Sequence, residues 1–243
     1  MSPAKTSAAR GLFSTTAQFI RRTEDLRAAY AIAKALGARA TKRSIARFRA
    51  SPVGARVLAA RQDLPGALTD QAALARLPKD SLGHAYQDFM CRENLSIEGL
   101  RRPSSPATVA LSDDESRILD RLSVLHDLGH VVTGYGREME GEICLLAFTC
   151  AQTRHPGLRL ILMISALRLV GKGRCQQTLK AIAEAYRRGR TTPWLGSQDW
   201  EELLLQPIAR VRAALNLKPA MGYEALRLSK THGPQVVAAE SMP

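Results

Sequence analysis

His126 and His130 lie four residues apart in a stretch that reads as a helix. At that spacing both imidazoles project from one face, one turn apart, and can share a single metal ion. At about 100° per residue, both sit at the edge of the apolar stripe made by Ile118, Leu122, Leu125 and Gly129. Asp127 lies further round, toward the polar side, about 60° from His130. Glu142 follows His130 by twelve residues. Gly134-Tyr135-Gly136 breaks the helix between them, so a second helix can fold back and return Glu142 to the histidines. Gly129 and Gly141 would let those helices approach closely, or leave room for a ligand. Two imidazoles and two carboxylates with open positions suit Zn2+, Fe2+ or Mn2+. Such an ion can act as a Lewis acid, activate water or bind dioxygen. The pattern is not that of a zinc protease, because Asp127 rather than Glu follows the first histidine and the general base is missing. A histidine pair alone is also compatible with two core imidazoles that satisfy one another. Asp127 and Glu142 are what favour the metal.

The elements that must position these residues read as helices. Leu26, Ala29, Tyr30, Ala33 and Leu36 share a helical face, with Thr23-Glu24-Asp25 to open that helix and Gly37 to close it. Lys42, Arg43, Arg47 and Arg49 follow, as a solvated basic face. Pro52, Pro65 and Pro78 cut the next stretch into short pieces, and Asp80 or Ser81 can cap a helix holding Leu82, Tyr86, Phe89 and Met90. Residues 99–112 read as a loop. Ser112 and Glu115 form a capping box that opens the histidine helix, which should reach about Thr133. Further helices are expected from near Arg137 to Thr153, from Leu158 to Val170, over 174–188 and within Trp194–Leu217. No segment alternates with period two. The fold class is therefore all-α: a single multi-helix domain with its metal site between two consecutive helices. That domain should span 16–228. Residues 1–15 would be a disordered basic tail or a targeting segment, and 229–243 a disordered tail.

The 243 residues carry a formal net charge of +13, which suggests an anionic partner. Aromatic residues make up 5%, too few for a nucleic-acid stacking surface, and the basic residues are spread over the whole chain. Nucleic acid is thus disfavoured. Cys91, Cys144, Cys150 and Cys175 form no zinc-ribbon pair and read as free, mostly buried thiols. The most apolar run, Leu158–Val170, includes Arg159 and Arg168 and is too short to cross a bilayer, so any membrane contact is peripheral.

The stretch HDLGHVVTGYGREMEGE (126–142) resembles the signature of the Coq-four family of ubiquinone biosynthesis proteins: His-Asp-x-x-His, eleven residues, then Glu. LPKDSLGHAYQDFM (77–90) and DWEELLLQPIARVRAALNL (199–217) are similar to its flanking segments, and the resemblance spans roughly 50–217. It implies an all-helical fold and a divalent metal, zinc first, on His126, Asp127, His130 and Glu142, through which those residues would be catalytic. It implies a polyprenylated benzoquinone precursor as substrate. The activity implied is loss of the ring C1 carboxyl group coupled to hydroxylation there, with the other ubiquinone biosynthesis proteins as partners. A homodimer is also expected. The location would be the cytoplasmic side of a bacterial inner membrane, or the matrix face of the mitochondrial inner membrane. An apolar groove for the prenyl tail could be lined by Leu145, Leu146, Phe148, Leu160, Ile161, Met163, Ile164 and Leu167, for which ordinary core packing is the competing reading.

Two other functions fit parts of the pattern. A non-catalytic lipid-binding scaffold of the biosynthetic complex needs no chemistry at the motif. A His-Asp metal phosphohydrolase would pair His126-Asp127 with a distant His and Asp, which His84 and Asp199 could supply. Arg137 could pair with a substrate carboxylate. Lys172 and Arg174, beside Gly171 and Gly173, read as a basic turn.

Overall fold

A computed structural model describes residues 26–95, 111–170 and 175–231. Among them every regular element is a helix: α1 (Leu26–Arg49), α2 (Pro52–Ala59), α3 (Leu64–Thr69), α4 (Gln71–Ala75), α5 (Leu82–Arg92), α6 (Asp113–Ser123), α7 (Leu125–Thr133), α8 (Met139–Thr153), α9 (Pro156–Val170), α10 (Cys175–Thr191), α11 (Trp200–Leu203), α12 (Ile208–Ala214) and α13 (Met221–Thr231). The expected basic tail at 1–15, the loop at 99–110 and the turn at 171–174 lie outside the described residues. No helix among those described is long and apolar enough to cross a membrane.

Local chemistry sets the helix boundaries. The capping box forms as expected: the Glu115 N–H donates to Ser112 Oγ, and the Ser112 N–H donates to the Glu115 carboxylate. The helix it opens does not run unbroken to Thr133. It divides at Val124, where the Ser123 hydroxyl donates to the Asp120 carbonyl and competes with the helical ladder. Gly37 does not end α1. It packs against the His155 ring, with no room for a Cβ. The helix expected within Trp194–Leu217 falls into a 3-10 turn at Leu195–Ser197 followed by α11 and α12, because Pro207 cannot extend a helical ladder. The chain expected to be a tail from 229 is still helical to Thr231, in α13, which the apolar pattern did not reveal.

One large apolar core joins α3–α5, α7, α8 and α10–α13. Trp200, Tyr86, Phe148, Leu82 and Leu128 are fully buried in it. Each such side chain contributes roughly 1.5–3 kcal/mol by leaving water. The start of α5 is fastened to the segment before α12: the Leu82 and Gly83 N–H groups donate to the Gln206 and Leu204 carbonyls, and the Ile208 N–H donates to Asp80. This fixes the face of α5 that meets α7. Arg121 ties α6 to α11 through a bidentate, nearly buried pair with Glu201, at 2.7 Å for one arm. Of the proposed groove residues, Leu145 and Phe148 belong to the main core, while Ile161, Ile164, Leu146 and Leu160 form a second cluster with Leu36 and Leu158. Met163 and Leu167 face solvent.

Candidate metal centre

The α7–α8 hairpin is built to bring Glu142 back to the histidines. Gly134 ends α7 at φ 80°, a left-handed conformation that glycine adopts without strain, and its N–H closes on the His130 carbonyl. The connection then runs so close over the first turn of α8 that a Cβ on Gly141 would lie 2.1 Å from the Gly136 carbonyl oxygen. Tyr223, from α13, clamps the same connection: its hydroxyl accepts from the Gly136 N–H at 2.9 Å and donates to Glu138, the N-cap residue of α8.

Three side chains converge. The ligand atoms of His126, His130 and Glu142 all lie within 4.8 Å of one another. His126 Nε2 is 3.3 Å from His130 Nε2, and the two carboxylate oxygens of Glu142 are 3.5 Å and 3.4 Å from these nitrogens. A tetrahedral ion with bonds of about 2.1 Å needs its ligand atoms ~3.4 Å apart, so the spacing fits a first-row divalent ion. The orientation of His130 fits as well. Its Nδ1–H donates to the Tyr135 carbonyl at 3.0 Å, which leaves the Nε2 lone pair directed at the other two groups. Phe89 of α5 stacks on the His130 ring at 5.7 Å and 21°. The His130 side chain is wholly buried and the His126 side chain is 55% exposed, so the site opens on the His126 side.

Electrostatics agree with a site for a cation. Partial burial works against ionised Glu142, but hydrogen bonds and charge from His126 and His130 outweigh it and bring its pKa down to about 2. Packing around His126 opposes its protonation. Glu142, with help from Asp127, overrides that and raises its pKa, while the nearby Arg137 pulls the other way.

Asp127 is not drawn into this group. It is half-buried on the adjoining helical position, and successive helical residues diverge by about 100°. His84 sits with Asp88, at 3.7 Å, and Asp199 pairs with Arg56 while capping α11; neither joins the histidines. Cys144 and Cys150 are buried, as expected, and burial pushes both thiols up to about 12. Cys91 is exposed on α5 instead. A cavity of about 360 Å³ lies elsewhere, between Phe48, Val57, Pro65 and Ile118, and holds none of the site residues.

Sequence reasoning missed the supports of the site. Arg212 of α12 donates from Nε to the Val132 carbonyl and from a terminal nitrogen to Val131, both at 3.0 Å. Arg188 of α10 donates to Thr133 at 3.0 Å and lies over the Tyr135 ring at 4.9 Å. These carbonyls end α7 and have no helical partner, so two cations complete the helix that carries both histidines. Tyr86, one turn before Phe89, is also new: its ring is fully buried and its hydroxyl has no hydrogen-bond partner. Only the helical spacing of Tyr86 and Phe89 hinted at a shared face. Arg212→Met should keep the packing of the stem and lose two hydrogen bonds. We expect a cost of about 1–3 kcal/mol in chemical denaturation, with metal affinity weakened as well. Unchanged stability would mean that water replaces the cap.

The fold and the site define a helical protein with a candidate centre of two histidines and one carboxylate. A family model described as coenzyme Q (ubiquinone) biosynthesis protein Coq4 matches residues 7–221. The chain is 30% identical over 171 residues to the mitochondrial ubiquinone biosynthesis protein COQ4 of Coccidioides immitis, covering 70% of this chain and 58% of that one. For the Talaromyces stipitatus protein the identity is 32% over 170 residues, covering 69% and 57%. For the Rattus norvegicus homologue it is 26% over 174 residues, covering 71% and 63%. The chain thus spans somewhat over half the length of these relatives. A crystal structure of a proposed ubiquinone biosynthesis protein from Nostoc punctiforme has the same fold, with a TM-score of 0.64 over 85% of this chain and 97% of that one, at 23% identity. This chain belongs to the Coq4 family.

Proposed function

We propose that this protein acts in ubiquinone biosynthesis, and that it holds one divalent metal ion on His126, His130 and Glu142. The observation that carries the metal is the set of ligand separations, 3.3, 3.4 and 3.5 Å, around a histidine whose second nitrogen is already committed to Tyr135. Zinc suits the donor set, with iron or manganese as alternatives, and a redox step favours iron. Asp127, the fourth residue of the motif, would join the ligands by turning inward. In the geometry described it acts through its charge on His126.

The substrate is a polyprenylated hydroxybenzoate, and the reaction is loss of its C1 carboxyl group as carbon dioxide coupled to hydroxylation at that carbon, a two-electron oxidation that balances when water supplies the hydroxyl oxygen and dioxygen is reduced to hydrogen peroxide. When bound, the ion supplies Lewis acidity and open positions for the ring substituents. The chain's own residues do the rest. Arg137, half-buried beside His126, offers a cation to the substrate carboxylate. Phe89 and the buried wall of α5 keep water from the inner side of His130. The protein would work at the surface of an inner membrane, among the other proteins of the biosynthetic complex, which it also helps to organise.

The test is a mass spectrum of lipid extracts from cells lacking the gene, rescued with wild type or with His126→Ala. The expected result is ubiquinone restored by wild type alone, with the variant accumulating a precursor that keeps its ring carboxyl. Equal rescue by both would remove the catalytic reading and leave the non-catalytic scaffold.

A further inference from the structure

The basic residues look scattered along the sequence, yet three helices packed in series carry almost no acid to offset theirs. From residue 35 onward α1 carries five basic side chains and no acidic one. The next helix in question, α9, carries Arg159 and Arg168 and no acid, and α10 carries four basic residues and one acid. α9 packs against both α1 and α10. Together these stretches hold eleven cations and one carboxylate, a net +10 against +13 for the whole chain. The carboxylate, Glu184, is turned toward α13, where it accepts the Gly222 N–H at 2.6 Å. Several of the eleven cations are engaged within the fold: buried Arg188 is bound to the end of α7, Arg49 pairs with Glu115 of α6, and Arg47 lies over the Trp194 ring.

The same helices expose apolar side chains. Between its two arginines α9 is almost wholly apolar: Ile161 and Ile164 pack inward, yet Met163 is 55% and Leu167 67% exposed. Met163 and Leu167 are one turn apart on one face. Leu179, one turn into α10, is 51% exposed as well.

We propose that this face of α1, α9 and α10 is the surface by which the protein docks on an anionic lipid bilayer, with Met163, Leu167 and Leu179 entering the headgroup layer. Cations flanking protruding apolar side chains match a surface that is anionic outside and apolar beneath. A second copy would bring an equally cationic face against this one and be repelled. Nucleic acid would satisfy the charge but gain nothing from exposed Met163 and Leu167, and the chain offers it few aromatic platforms. The inference rests on the peripheral-membrane part of the reading above and adds the face that makes the contact.

The test is co-sedimentation of the full chain with vesicles of phosphatidylcholine alone, and with vesicles that also contain phosphatidylserine. Wild type should bind the anionic vesicles, bind neutral ones about tenfold more weakly, and be released by salt. Met163→Glu combined with Leu167→Glu should reduce anionic-vesicle binding at least about tenfold at unchanged helicity. Leu205→Glu, at a site 57% exposed on the turn before α12, should bind as wild type does. Wild type that leaves every vesicle unbound overturns both this inference and the peripheral reading. Normal binding by the double variant overturns this face and leaves the peripheral reading standing. A dimer that the double variant converts to monomer, with no vesicle binding by either, would assign the face to self-association instead.

Discussion

Glu142→Gln should purify folded and bind divalent metal at least about 100-fold more weakly than wild type. The amide keeps the shape of the side chain, so the α7–α8 hairpin stays packed. It loses the anionic donor that lies 3.4 Å from His130 and 3.5 Å from His126. Metal analysis of the purified protein and a competition titration against a chelator would measure the loss. Metal binding equal to wild type would show that the carboxylate is not a ligand. His130→Ala is less clean, because it also removes the ring beneath Phe89. Acidification should act in the same direction as Glu142→Gln. The raised His126 pKa means that a proton competes with the ion at a higher pH than at an ordinary histidine, so affinity should begin to fall above that ordinary range. In the metal-free protein the two groups have opposite signs. Glu142, depressed to about 2, stabilises the fold above the unfolded carboxylate value, and this is lost as pH falls toward 2. His126, raised, stabilises below the unfolded imidazole value, and this is lost as pH rises through its folded pKa.

Gly141→Ala should be among the most damaging single-methyl changes in the chain, about 3 kcal/mol or more by denaturant titration. The new Cβ would fall 2.1 Å from the Gly136 oxygen and 2.6 Å and 2.7 Å from its carbonyl carbon and nitrogen. Backbone on both sides has no rotamer with which to yield. Relief requires the connection to lift from α8, and this would break the Tyr223 clamp and displace the Tyr135 carbonyl that orients His130. Metal affinity should therefore fall with stability, although no ligand is altered. Gly129→Ala offers the contrast: its Cβ would meet only the flexible end of Leu145, at 3.0 Å, and it should cost much less. Equal stability of Gly141→Ala and wild type would mean that the connection is looser than described.

Much of this was legible because it is local. Histidines four apart on a helix, a glycine that must break it and a capping box that opens it are short-range patterns. They led to the correct hairpin and to three convergent side chains. Asp127 lies one helical position round from His126 and stands outside the converged trio, so the motif and the geometry overlap in three of its four residues. The arginine caps, the Tyr135 carbonyl and the Phe89 stack were illegible for a different reason. Arg212 reaches Val131 from 81 residues away, and nothing in its own sequence neighbourhood marks it as a cap. Backbone acceptors leave no trace in side-chain patterns at all. The division of the Trp194–Leu217 segment was readable in Pro207, but its continuous apolar spacing concealed it.

The clamp by Tyr223 has a consequence for the order in which the molecule is made. The ligand residues leave the ribosome before α13 does, for Tyr223 follows Gly136 by 87 residues. Until α13 emerges and docks, the two histidines and the glutamate belong to a nascent chain whose hairpin is unfastened. Completion of the centre is thereby tied to the synthesis of α13. A message cut short after residue 219 would still encode every ligand, and its product would lack the part that holds them in place.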